Sequence, residues 1–205
     1  MRRFFVLFGA VLLSGGAFLS GCKTDGGGKT AATSNPASVA AVRAQFDVLR
    51  DSVDVKWQQM MGSDDQKVGT TRLLLQELSG QRGVSAAQVA ALTQANARLK
   101  ALRYDQATMA ESARIDRYDA AQDSVLKALY ETAAPGGNAP TTQIRDFTEG
   151  IAQADAAVVG HRVAYDRAAR ICNNYLQLHR EELNTLGGKY AALRPLPLFT
   201  IGAAQ

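Results

Sequence analysis

The sequence predicts an all-α fold: an elongated antiparallel bundle of three long helices, or of four if one long segment breaks. Three observations lead there. Apolar residues recur at spacings of three and four over long stretches, the mark of a helix face turned towards other helices. Proline is absent between Pro36 and Pro135, alanine is abundant and aromatics make up only 7% of the chain, a composition that suits helix. Short glycine- and proline-rich tracts separate the periodic stretches, and short connections make neighbouring helices antiparallel.

Ahead of the helical region stands MRRFFVLFGAVLLSGGAFLSGCKTDGGGKT. Arg2 and Arg3 form a positive start, and Phe4 to Leu19 an apolar run softened by glycines, the layout of a secretory signal. At about sixteen residues the run is near the short limit for a spanning helix. It ends in Leu19-Ser20-Gly21-Cys22, which resembles the bacterial lipobox. That resemblance implies removal of residues 1–21, with Cys22 as the first mature residue carrying diacylglycerol and an N-acyl chain. Each buried CH2 adds roughly 0.8 kcal/mol, so two or more chains make a lasting anchor. Residues 22–35 are small, polar and glycine-rich and read as a flexible tether. Lys23 stands where an Asp retains lipoproteins in the inner membrane in the common enterobacterial pattern. The expected location is therefore the periplasmic side of the outer membrane.

Loss of Arg2 and Arg3 from the 23 basic residues leaves 21 against 19 acidic ones. The mature chain is then close to neutral and offers no electrostatic footprint for nucleic acid. Lipidation of Cys22 leaves Cys172 alone, so no intramolecular disulfide is expected.

Residues 36–188 are the expected bundle. Asn35 is placed to cap the first helix and Pro36 suits its first position. The seam then runs through Phe46, Leu49, Val53, Trp57, Met60, Val68, Thr71, Leu75 and Leu78. It crosses a weak patch, Gly62-Ser63-Asp64-Asp65, with Asp64 on the seam. The patch is read as a kink or as a point where the seam meets solvent, with a buried functional carboxylate as the minor alternative. The glycines of 79–83 stop this helix.

Ser85 and Gln88 form a capping box for the second helix. Its seam includes Val89, Leu92, Asn96, Leu99, Met109, Ile115, Tyr118, Val125 and Leu129, and its register slips around 102–110, as a break would make it do. The tract Ala134 to Pro140 ends it. The third helix starts near Thr141 or Thr142. Its seam steps by three or four from Ile144 through Ile151, His161, Tyr165, Cys172, Tyr175, His179 and Glu182 to Leu186, and Gly187-Gly188 stops it. Residues 189–205 form a tail. Pro195 and Pro197 bar helix there, and the tail is apolar enough to pack back on the bundle or to meet a partner.

The body resembles the LemA family of bacterial membrane-associated helical proteins. The likeness lies in Trp57, followed by Lys67-Val68 and Leu73-Leu74-Leu75. It continues in the stretch from Arg162 through Tyr165-Asp166 to Cys172-Asn173, then in the tail Leu196-Pro197-Leu198-Phe199. It covers roughly 45–80 and 145–200. Asp166 stands where the family usually has Asn, Cys172 where it has Tyr, and a lipoprotein signal replaces the family's N-terminal membrane helix. The resemblance implies a helical bundle at the cell envelope and no established reaction.

The spacings supply no catalytic constellation. His161 and His179 are eighteen positions apart, about 27 Å along a helix, and cannot share one metal. Cys172 lies about 16 Å from the first and about 10 Å from the second, too far for a Cys-His pair. No Glu-x-x-His pair for a di-iron bundle occurs, and no glycine tract leads into a phosphate-binding helix. No metal and no cofactor beyond the acyl chains of Cys22 are expected. The leading expectation is a membrane-anchored, non-enzymatic scaffold that meets an envelope protein. Its candidate interaction surface is Trp57, Met61, Arg162 and Phe199. The alternative is a bundle that holds a lipid or apolar ligand in a space lined by small residues such as Ala154, Ala168 and Ala169.

Overall fold

The long apolar seam of the first segment forms α1 (Pro36–Ser79), 44 residues and about 66 Å of continuous helix. In the computed structural model, residues 36–134 and 140–199 are described, all within the unit Ser34–Gln205. Cys22, the tether, the Asn35 cap and most of the 134–140 turn tract lie outside the described residues. The described residues are all helical in their regular structure, with four long helices and two short ones.

The patch Gly62-Ser63-Asp64-Asp65 lies inside α1 without interrupting it. The second segment does break, into α2 (Ala86–Leu102) and α3 (Ser112–Ala133). Between them lies a single 3-10 turn, Thr108–Ala110. The break follows from side-chain competition for backbone groups. The Asp105 carboxylate accepts from the amides of Ala107, at 3.0 Å, and Thr108, at 2.7 Å, while the Thr108 hydroxyl accepts from the Asp105 amide at 2.9 Å. This reciprocal pair starts a new helical turn, as a capping box does.

At the other starts, Ser85 Oγ accepts from the Gln88 amide and Thr141 Oγ1 from the Ile144 amide. Helix α4 (Thr142–Leu178) ends eight residues earlier than the seam suggests. His179 leaves the helical region at φ −116° and ψ 28°, and a short α5 (Arg180–Thr185) follows. The apolar side decides this: Leu183 is fully buried after the bend, whereas the expected seam residue Glu182 stays half-buried. Gly187 and Gly188, at φ +65° and +53°, then reverse the chain into α6 (Gly188–Ala191). Two successive left-handed residues suit glycine alone.

The cross-helix pairs fix the topology. The Tyr175 hydroxyl donates to the Val42 carbonyl, Trp57 meets Tyr165 edge-to-face, and Lys67 pairs with Asp155. As numbers rise on α1 they fall on α4, so the two run antiparallel. Asn96 on the Val68 carbonyl and Arg103, just past the end of α2, on Asp65 set α2 antiparallel to α1 in the same way. The buried apolar residues fall into two clusters. One gathers Phe46, Val53, Trp57, Tyr104, Met109, Tyr165 and Leu176 with the tail. The other gathers Leu74, Leu75, Leu78, Leu92, Leu129, Ile144 and Ile151.

Candidate functional site

A polar layer crosses the bundle between the two apolar clusters. On α1 it is Asp64, Lys67 and Thr71, on α2 Asn96 and on α3 Gln122, all buried. Asp155 joins it from α4. Asp64 is therefore neither solvent-facing nor at a break in the helix: it is 8% exposed and accepts from three donors. One oxygen accepts from the Tyr118 hydroxyl at 2.5 Å and from Arg103 at 2.9 Å, the other from the Gln122 amide at 2.9 Å. Arg103 also reaches Asp65 at 2.8 Å.

Lys67 is the deepest charge, 1% exposed. Its ammonium donates to the Gln122 carbonyl oxygen at 2.5 Å and to Asp155 Oδ1 at 2.9 Å. Gln122 thus bridges a cation and an anion with the two ends of one amide. The result is a continuous chain from Asp155 through Lys67, Gln122 and Asp64 to Arg103 and Asp65. Burial of a charge is tolerated only with such pairing.

Burial raises the Tyr118 phenol well above its ordinary range, and the Asp64 carboxylate adds to the rise. For Arg103 burial works downward, but the pairing with Asp64 and Asp65 outweighs it and the guanidinium is raised on balance. Arg162 behaves alike: burial works downward, and the 2.7 Å bond to Asp119 together with Tyr104 holds the charge. Burial lifts the Cys172 thiol, which favours its protonated, unreactive form.

Beside Asp64 lies a cavity of about 20 Å³, bordered also by Arg103, Tyr118, Asp119, His161 and Arg162. That is room for about one water, far below the roughly 300 Å³ and upward of small-molecule sites. Arg162, whose Nε has no partner among the described residues, borders it. The residues named as an interaction surface divide. Trp57 and Phe199 are 9% and 7% exposed and belong to the core, because their rings close an aromatic group with Tyr104 and Tyr165. Met61 and Arg162 are half-buried. The large apolar side chains that do face outwards include Val48, Val55, Val159, Val163 and Leu178.

No known family model matches the chain, and no characterised protein or solved structure proves similar to it. Among the described residues no group of His, Cys, Asp and Glu is placed to hold a metal ion, and no helix is long and apolar enough to cross a membrane. Of the polar layer, Asp64, Thr71 and Asn96 stand at seam positions in the sequence, as does Tyr118, which donates to Asp64. Lys67, Arg103 and Gln122 stand at no seam position. The one signal was distance: Lys67 follows Asp64 by three residues, and Gln122 follows Tyr118 by four, each on the same helical face.

Proposed function

We propose that the protein is a lipoprotein of a bacterial envelope, anchored through acyl chains on Cys22 and facing the periplasm. Its bundle acts as a non-enzymatic scaffold or interaction module, and it is a divergent relative of the LemA proteins. One observation carries the anchor: Leu19-Ser20-Gly21-Cys22 closes an apolar run with a positive start and opens a glycine-rich tether. The scaffold reading is supported by the interior, where the charged groups satisfy one another across the bundle instead of converging on a substrate-sized space. Outward-facing Val159, Val163 and Leu178 on α4 offer apolar contact.

Metabolic labelling with a palmitate analogue tests the anchor. The wild-type chain is expected to take up label and to pellet with membranes, and Cys22→Ser to do neither. An unlabelled wild-type chain overturns the anchor. Photoreactive residues at Val163 and Leu178 in intact cells test the module. Capture of one specific envelope protein supports it. Capture of lipid alone at both positions favours a lipid-binding bundle in its place.

A further inference from the structure

The chain's last described residues behave as a bound peptide. Past α6, residues 193–199 lie along α4 with no helix of their own. The Leu193 amide turns back to the Tyr190 carbonyl, and the remaining bonds of the segment run to side chains of α4 and α5. Asn173 grips Leu196 at both main-chain groups, donating to its carbonyl at 2.9 Å and accepting from its amide at 2.7 Å. The Tyr165 hydroxyl donates to the Pro197 carbonyl at 3.1 Å, and Asp166 accepts from the Phe199 amide at 2.9 Å. Arg180 donates to the Leu193 carbonyl at 3.0 Å. Pro195 and Pro197 have no amide hydrogen to satisfy and hold the backbone extended.

One side chain is the anchor. Phe199 enters edge-on against Tyr104 and Tyr165, at 5.8 and 5.7 Å between ring centres, with the Arg162 guanidinium 5.1 Å over its face. Leu196 and Leu198 remain only half-buried, and Arg194 and Pro195 are exposed. Main-chain groups gripped by side chains, prolines that hold the backbone extended and one buried aromatic anchor are the features of peptide recognition. Release of the segment leaves the ladder of α4 intact. It also leaves α6 in place, because Tyr190 is fixed to α1 through Asp47 and Phe46.

We infer that this groove is a peptide-binding site filled here by the chain's own tail, and that it takes an extended Pro-Leu-aromatic segment of a partner protein in exchange. The inference rests on the interaction-module reading and supplies the partner's chemistry. Main-chain bonds give affinity for any extended segment, and the ring pocket selects the aromatic residue.

The probe is a fluorescent peptide with the tail's sequence, Leu-Arg-Pro-Leu-Pro-Leu-Phe, followed by anisotropy with the purified full chain. The Phe199→Ala chain, whose own tail is loosened, is expected to bind it at least about tenfold tighter than wild type. Adding Asn173→Ala is expected to abolish that gain, and a peptide ending in Ala should not compete. Equal binding by Phe199→Ala and wild type overturns the inference, as does binding indifferent to Asn173→Ala. Should Phe199→Ala lose its helical circular dichroism, a protease sequence inserted after Ala192 serves instead. The nicked, folded chain is expected to exchange its tail for the labelled peptide, and a tail that never exchanges overturns the inference. These assays need no membrane. Their failure leaves the lipid anchor and the crosslinking result standing, and an unlabelled Cys22 leaves peptide binding standing.

Discussion

Asp64 carries the sharpest consequence at the scale of single residues. Its carboxylate serves three donors on or beside two other helices. Asp64→Leu leaves the Tyr118 hydroxyl without its acceptor, the Gln122 amide with the Tyr118 oxygen alone and Arg103 with Asp65 alone. Removing one partner of a buried network costs about 3–5 kcal/mol. Asp64→Asn, with its oxygen kept towards Tyr118 and Arg103, turns a donor towards the Gln122 amide, at a cost of about 1–3 kcal/mol. Urea unfolding should order the chains wild type, Asn, Leu. Equal midpoints for all three would mean that water replaces the lost partners. Periodicity located Asp64 on the seam but not its partners. A lysine inside a helix is by default a surface residue, so Lys67 yields the seam position to Val68 in any reading by hydropathy. Only the fold shows that Lys67 is fully buried and Val68 partly so.

The break between α2 and α3 shows how one local pair overrides a long helical pattern. Thr108 donates to the exposed Asp105 carboxylate from its side chain and its backbone amide, and this holds the carboxyl below its ordinary range. A depressed folded value means that the unfolded chain binds the proton more readily. The cap's contribution is thus fully present above the ordinary carboxyl value of about 3.9. It is lost as pH falls through the lower folded value. The stability difference between wild type and Asp105→Ala should therefore be constant from pH 7 to about 5 and vanish towards pH 2. A difference that persists in acid would assign the effect to packing. The slip of the seam at 102–110 was legible, because apolar spacing fails there. The bend at His179 was not: no proline or glycine marks it, and a step of three from His179 to Glu182 reads as unbroken helix. There the burial of Leu183, decided by neighbours distant in sequence, turns the chain.

Across the whole molecule, the polar layer divides one bundle into two apolar halves. Long helices with repeating apolar seams can slide past one another by a turn at little loss of buried area. A layer in which Asp155, Lys67, Gln122 and Asp64 must all meet permits one alignment of α1, α3 and α4. Such a layer specifies structure more than it stabilises it, as buried polar groups do in some other bundles. The combined replacement Asp64→Leu, Lys67→Met, Tyr118→Phe and Gln122→Leu separates the two roles. Single replacements orphan buried groups, whereas the joint one removes the donors and acceptors together and leaves Arg103 its bond to Asp65. Its unfolding free energy should lie within about 2 kcal/mol of wild type, far above the sum of the single losses. Its amide exchange should quicken in α3 and the matching part of α4 as alternative alignments become populated. Strictly additive losses would make the layer a source of stability, and unchanged exchange would show that the apolar seams alone fix the alignment.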